Sequence, residues 1–134
     1  MINRLLFLLL VWGFALSENS NKQSSDSLKL FYSQQITHFS GHYVLPIAIA
    51  YASYGASWKT AAKLMVTSNL VDADHILSKP IYDPNRCSIG IHPLHTLPAI
   101  GLYSAMVFNQ ETQELGIGLL THMAVDFVDC INTQ

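Results

Sequence analysis

Charge is what this chain has least of. Asp, Glu, Lys and Arg make up 12% of its 134 residues, about half of the ~25% usual in a soluble globular domain. Lys and Arg number 7 against 9 Asp and Glu, so the formal charge is −2 and no basic surface invites nucleic acid. Two cysteines are too few for a disulfide-dense scaffold. There is no G-x-S-x-G, no Walker-type glycine loop, no G-x-G-x-x-G and no H-E-x-x-H. Serine-triad chemistry, nucleotide binding and zincin proteolysis lose their footing with them. Internal repeats are missing too. With 50% apolar residues and a mean hydropathy of +0.27, acid-rich disorder and a coiled coil are excluded. An apolar domain remains, and its few polar groups carry the information.

The chain opens with Arg4 and an apolar run of twelve residues from Leu5 to Leu16. As a helix such a run covers ~18 Å, short of a ~30 Å hydrocarbon core. Together with the small-residue box Ala15-Leu16-Ser17 it reads as a secretory signal peptide over residues 1–17, the alternative being a short uncleaved anchor. Either one places the rest outside the cytoplasm. Cleavage after Ser17 would leave 134 − 17 = 117 residues. Residues 18–35 form a polar linker, with no apolar side chain from 18 to 27.

Four apolar segments follow, over 36–54, 58–78, 92–108 and 115–131. Breakers separate them: Tyr54-Gly55-Ala56-Ser57, then Lys79-Pro80 and Asp83-Pro84-Asn85, then the polar stretch from Asn109 to Glu114. Their length favours helices over strands. Pro46 and Pro98 should kink their helices or lie in first turns. The expected fold is all-α: an antiparallel four-helix membrane bundle over residues 36–134, preceded by the signal-like apolar segment.

Antiparallel neighbours bring the polar residues to one end. His38 and His42 start the first helix, Asp72, Asp74 and His75 end the second, His92 and His95 open the third, and His122, Asp126 and Asp129 lie late in the fourth. All six histidines and four of the six aspartates therefore gather together. The pairs His38/His42 and His122/Asp126 are spaced i, i+4, and His92/His95, Asp72/His75 and Asp126/Asp129 are spaced i, i+3, so each pair shares a helix face. Asp72 and Asp74 cannot share one. Taken singly, each histidine is more simply a satisfied interface residue, the pair His92/His95 a polar helix start with Pro93 at its first position, and Asp129 a partner for Arg86. Convergence of ten such residues reverses that reading. Imidazole with carboxylate suits a divalent transition metal, zinc first and manganese or iron next. A di- or trinuclear centre would also neutralise carboxylates crowded into an apolar setting.

Cys87 and Cys130 fall at the same end, where a disulfide, two free thiols or thiolate ligation are all open. Arg86, in the adjoining loop, either pins an anionic substrate or pairs with an aspartate.

The run Val71-Asp-Ala-Asp-His75, the stretch from Pro80 to His95 containing Arg86-Cys87 and His92-Pro-Leu-His95, and His122-Met-Ala-Val-Asp126-Phe-Val-Asp129-Cys130 resemble a small bacterial membrane-protein family of unknown function. That likeness covers residues 36 to 131. More distantly, the order of these motifs is similar to inner-membrane metal-dependent hydrolases, and through them to the helical zinc-dependent phospholipase C and nuclease group. The resemblance implies metal ligands at His38, Asp72, His92 or His95, His122 and Asp126. Two departures weaken it. Leu70-Val71-Asp72 stands where those hydrolases have Leu-Pro-Asp, and the N-terminal tryptophan amine of the phospholipases has no counterpart.

The expected function is thus an integral-membrane metal-dependent hydrolase of the bacterial inner membrane, its metal end periplasmic, acting near the lipid surface on a small phosphoester or other ester. The candidate ligands are His38, His42, Asp72, His75, His92, His95, His122, Asp126 and Asp129. Asp74 or a spare histidine is the expected general base, and Arg86 the holder of substrate charge. The alternatives are a structural metal site in a non-catalytic membrane protein and a plain helical membrane subunit without metal.

Overall fold

The structure, a computed structural model, describes residues 27–79 and 87–132. Among them all regular structure is helical. Helix α1 spans Ser27–Ser53, α2 Trp58–Thr67, α3 Leu97–Met106 and α4 Gln113–Asn132. Tighter helical turns, wound at about three residues per turn, run through Gly55–Ser57, Ser68–Leu77 and Pro93–His95. The four expected helices are all there. The signal-like segment 1–17, linker residues 18–26 and the loop with Asp83-Pro84-Asn85 and Arg86 lie outside the described residues.

Local chemistry explains the boundaries. α1 starts nine positions ahead of the first apolar segment and carries Pro46 inside it. The second segment is not one helix. Thr67 and Ser68 turn their hydroxyls back onto the carbonyls of Leu64 and Met65, at 2.7 and 2.6 Å, and α2 stops there. Such back-bonding competes with the α-helical ladder, and the polar stretch beyond tightens to three residues per turn. Pro98 sits in the first turn of α3, where its missing N–H costs nothing.

α4 is the central helix, packed against α1, α2, α3 and the Ser68–Leu77 turn. Its first half is core: Ile117, Leu119 and Leu120 join Met65 of α2 and Val107 just past α3. Two glycines allow this closeness. A Cβ at Gly118 would lie 2.5 Å from the Met65 carbonyl oxygen, and one at Gly41 would lie 2.8 Å from the Val125 side chain. The second contact seats α1 beside the part of α4 that carries Asp126.

Cys87 and Cys130 are joined in a disulfide, with Cα atoms 4.8 Å apart. The choice left open by the sequence falls on the bonded state. With a sequence separation of 43, the chain-entropy argument gives a stabilisation of about 4 kcal/mol. The bond fastens the segment leading to His92 and His95 onto the last turn of α4.

The membrane part of the expectation fares differently. No helix among the described residues is long and apolar enough to cross a membrane. The ten residues of α2 or α3 reach ~15 Å, half of a ~30 Å core.

Candidate metal centre

The six histidines form one continuous series of ring contacts. His38 meets His42 at 4.3 Å between centroids, His42 meets His122 at 4.1 Å, and His122 meets His95 at 5.5 Å. His95 then meets His75 at 5.2 Å, and His75 stacks on His92 at 3.9 Å. His42, His92, His95 and His122 are buried, as are Asp74 and Asp126.

At the centre are Asp72, His95, His122 and Asp126, whose ligand atoms lie within 4.8 Å of one another. His95 Nε2 is 3.1 Å from Asp126 Oδ2 and 3.4 Å from Asp72 Oδ1. His122 Nε2 is 3.1 Å from Asp72 Oδ1 and 3.6 Å from Asp126 Oδ2. Ligands bound at ~2.0–2.1 Å to one tetrahedral ion are separated by ~3.3 Å, which is the spacing of these pairs. His95 Nε2 and Asp126 Oδ2 are buried and have no hydrogen-bond partner. A shared proton would demand a linear bridge between them. A metal ion makes no such demand, and two carboxylates cancel the charge of one dication.

The far side of each central imidazole is held. His95 Nδ1 faces Asp74 Oδ2 at 3.2 Å, and the same oxygen accepts the Leu94 backbone N–H at 2.7 Å. His122 Nδ1 faces Asn69 Oδ1 at 3.0 Å, while Asn69 Nδ2 donates to the His42 carbonyl at 3.1 Å. An acceptor on Nδ1 fixes the tautomer that leaves Nε2 free for a metal. Sequence reasoning missed Asn69. Its signal was the three-residue spacing of Asn69, Asp72 and His75, which aligns them once the segment winds as a three-residue helix.

Asp74 was expected to act as a base. It is buried and engaged by His95, the Leu94 amide and His75 Nδ1, the last at 3.1 Å. That places it on the Nδ1 side of His95, behind the candidate ligand atoms. Asp72 reaches the opposite ring nitrogen of His95, so the two acidic groups that cannot share a face grip one histidine from its two sides.

The other candidates fall into two flanking groups. His38, His42 and Asp126 form one, and Asp74, His75 and His92 the other. Asp129 is not in the first group, but its carboxylate pairs with His38 Nδ1. His75 Nε2 is 3.2 Å from Ser88 Oγ, one residue past the disulfide.

Charge follows this arrangement. Burial pulls His95 down, but Asp126, Asp72 and Asp74 outweigh it and push it up to about 10. Burial also pulls on His122, and Asp126 and Asp72 overcome it in the same way. The Asp129 contact raises His38. Burial lowers His42, with the neighbouring His122 adding to the effect. Burial tends to raise Asp72 and Asp126, yet the surrounding histidines hold both well below the usual carboxylate range.

Residues 32–133 match the family of unknown function DUF6122, and the chain belongs to that family. No curated protein and no solved structure matches it.

Proposed function

We propose that this member of DUF6122 is a metal-dependent hydrolase acting on a phosphoester or other ester at a lipid surface. Its divalent ion, zinc first and manganese or iron next, would be held by Asp72, His95, His122 and Asp126. One observation carries the reading: buried, mutually facing His95 Nε2 and Asp126 Oδ2, 3.1 Å apart and without hydrogen bonds. An ion bound there supplies a water acidic enough to attack near neutral pH and polarises a phosphoryl or carbonyl oxygen. Asp74 and Asn69 act as positioning residues that hold His95 and His122. The proton acceptor is better sought at the half-exposed rim, where His75 Nδ1 lies 3.6 Å from Asp72 Oδ1.

The lipid surface is proposed from the rim of the centre. Phe39 follows His38, Leu77 lies just beyond His75, Leu94 sits between His92 and His95, and Ile131 follows Cys130; all four are exposed. Exposed apolar side chains next in sequence to the residues of a polar centre suit a membrane surface better than bulk water. The disulfide fits an oxidising compartment, in keeping with a metal end outside the cytoplasm at the bacterial inner membrane. The distant likeness to inner-membrane hydrolases points the same way, by analogy only.

One observation favours a structural ion instead: the central group offers four protein ligands, the number of a closed site. Hydrolysis separates the readings. The full-length chain, loaded with zinc or manganese, is assayed on chromogenic phosphate monoester, phosphate diester and carboxyl ester probes, with and without lipid vesicles. Turnover of one probe class, falling at least ~100-fold in Asp126→Ala, is the expected result. Tightly held metal without turnover on any probe would overturn the hydrolase and leave the structural ion. Full turnover in metal-free Asp126→Ala would overturn both.

A further inference from the structure

We infer that the centre holds two divalent ions bridged by Asp126, the second carried by His38 and His42. This rests on the metal reading proposed above but not on hydrolysis. The two oxygens of Asp126 serve different partners. Oδ2 faces His95 and His122 at 3.1 and 3.6 Å, whereas Oδ1 faces His42 Nε2 at 3.2 Å. The side chains of His42 and Asp126 are only 5% and 3% exposed. Neither ring nitrogen of His42 makes a hydrogen bond. A buried imidazole whose Nδ1 has no partner and whose Nε2 meets only the Asp126 carboxylate is costly, and it sits where one ligand atom each from His38, His42 and Asp126 comes within 4.8 Å of the others.

The surroundings repeat the pattern of the central group. Asp129 engages His38 Nδ1, as Asp74 engages His95 Nδ1, so His38 Nε2 is the nitrogen left for the ion. Charge closes on the same count. Asp72, Asp74, Asp126 and Asp129 carry four negative charges; with neutral histidines one dication leaves −2, and two leave zero. Paired sites of this kind hold their ions ~3.5–4 Å apart, the span of a bridging carboxylate.

The two sites differ in openness. The inner ion has four protein ligands, and the outer ion has three, one being His38 with its side chain 47% exposed. The outer ion therefore keeps the position at which water or a small anion exchanges. Four ligands on one side and an open place on the other reconcile a closed site with exchange chemistry.

Manganese is the probe. The full-length chain is titrated with Mn(II) and followed by electron paramagnetic resonance, with bound metal counted by elemental mass spectrometry. Two equivalents with a spin-coupled spectrum are expected. His38→Ala/His42→Ala should weaken the second equivalent at least 100-fold, keep the first, and give the simple signal of an isolated ion. Retention of that first equivalent also reports a folded centre; if the double variant does not fold, His38→Asn alone replaces it. A single equivalent at saturation in the unaltered chain, two uncoupled ions, or two equivalents in a histidine variant would overturn the inference. Coupled ions without turnover on any ester would leave it standing and remove only the hydrolase.

Discussion

Helix α4 does opposite work in its two halves. From Ile117 to Thr121 it is buried among Met65 and Val107, where specificity comes from shape and close approach, as at Gly118. From His122 to Asp129 it is also mostly buried, but there it carries an imidazole and two carboxylates whose partners come from α1, the Ser68–Leu77 turn and the Pro93–His95 turn. The first half is stabilised by apolar burial against its neighbours and needs no charge to be compensated. The second is stable only when charge is compensated. The same burial, applied to different side chains, yields a scaffold at one end and a cluster of imidazoles and carboxylates that could hold a metal ion at the other.

That contrast can be broken from either side. Met65→Ala should cost about 2–5 kcal/mol of folding stability, from lost transfer energy plus the cavity left behind; chemical denaturation of the metal-loaded protein reads the loss. Bound metal per folded chain should not change. Breaking the Cys87–Cys130 bond, as in the double serine variant, should cost up to about 4 kcal/mol, read the same way with and without added metal. Asp74→Asn keeps the fold but weakens the hold on His95. Metal affinity should fall about 10–100-fold, measured by competition with a chromogenic chelator, and metal-free stability should change far less.

The smallest effect concerns pH. In the metal-free chain the His95 pKa is raised to about 10. Its contribution to stability is therefore fully present below the unfolded value of ~6.5 and lost as pH rises through the folded one. An ion takes the place of those protons, so zinc should raise the melting temperature more at about pH 8 than at about pH 5.5. Differential scanning fluorimetry at the two pH values checks the sign.

Much of this was legible in the sequence. Segment lengths and breakers gave four helices, and antiparallel connection alone was enough to bring His38, His42, His75, His92, His95 and His122 together. What stayed hidden depended on winding and rotamers. The segment 58–78 reads as one helix because its apolar spacing is helical, whereas the hydroxyls of Thr67 and Ser68 end α2 early. That tighter winding brings Asn69 to His122 and sets Asp74 against the Nδ1 side of His95. The disulfide could not be chosen over two thiols, because placing both cysteines at one end does not set a Cα separation. The membrane expectation rested on low charge; among the described residues many large apolar side chains are exposed, and no helix is long and apolar enough to cross a membrane.

The most direct test is metal content. The purified full-length chain and its Asp72→Ala/His122→Ala variant are measured by elemental mass spectrometry. If Asp72, His95, His122 and Asp126 hold an ion, the first carries at least one equivalent of zinc, manganese or iron and the variant loses it. A folded chain that holds no metal and takes up none when zinc or manganese is added would contradict the centre.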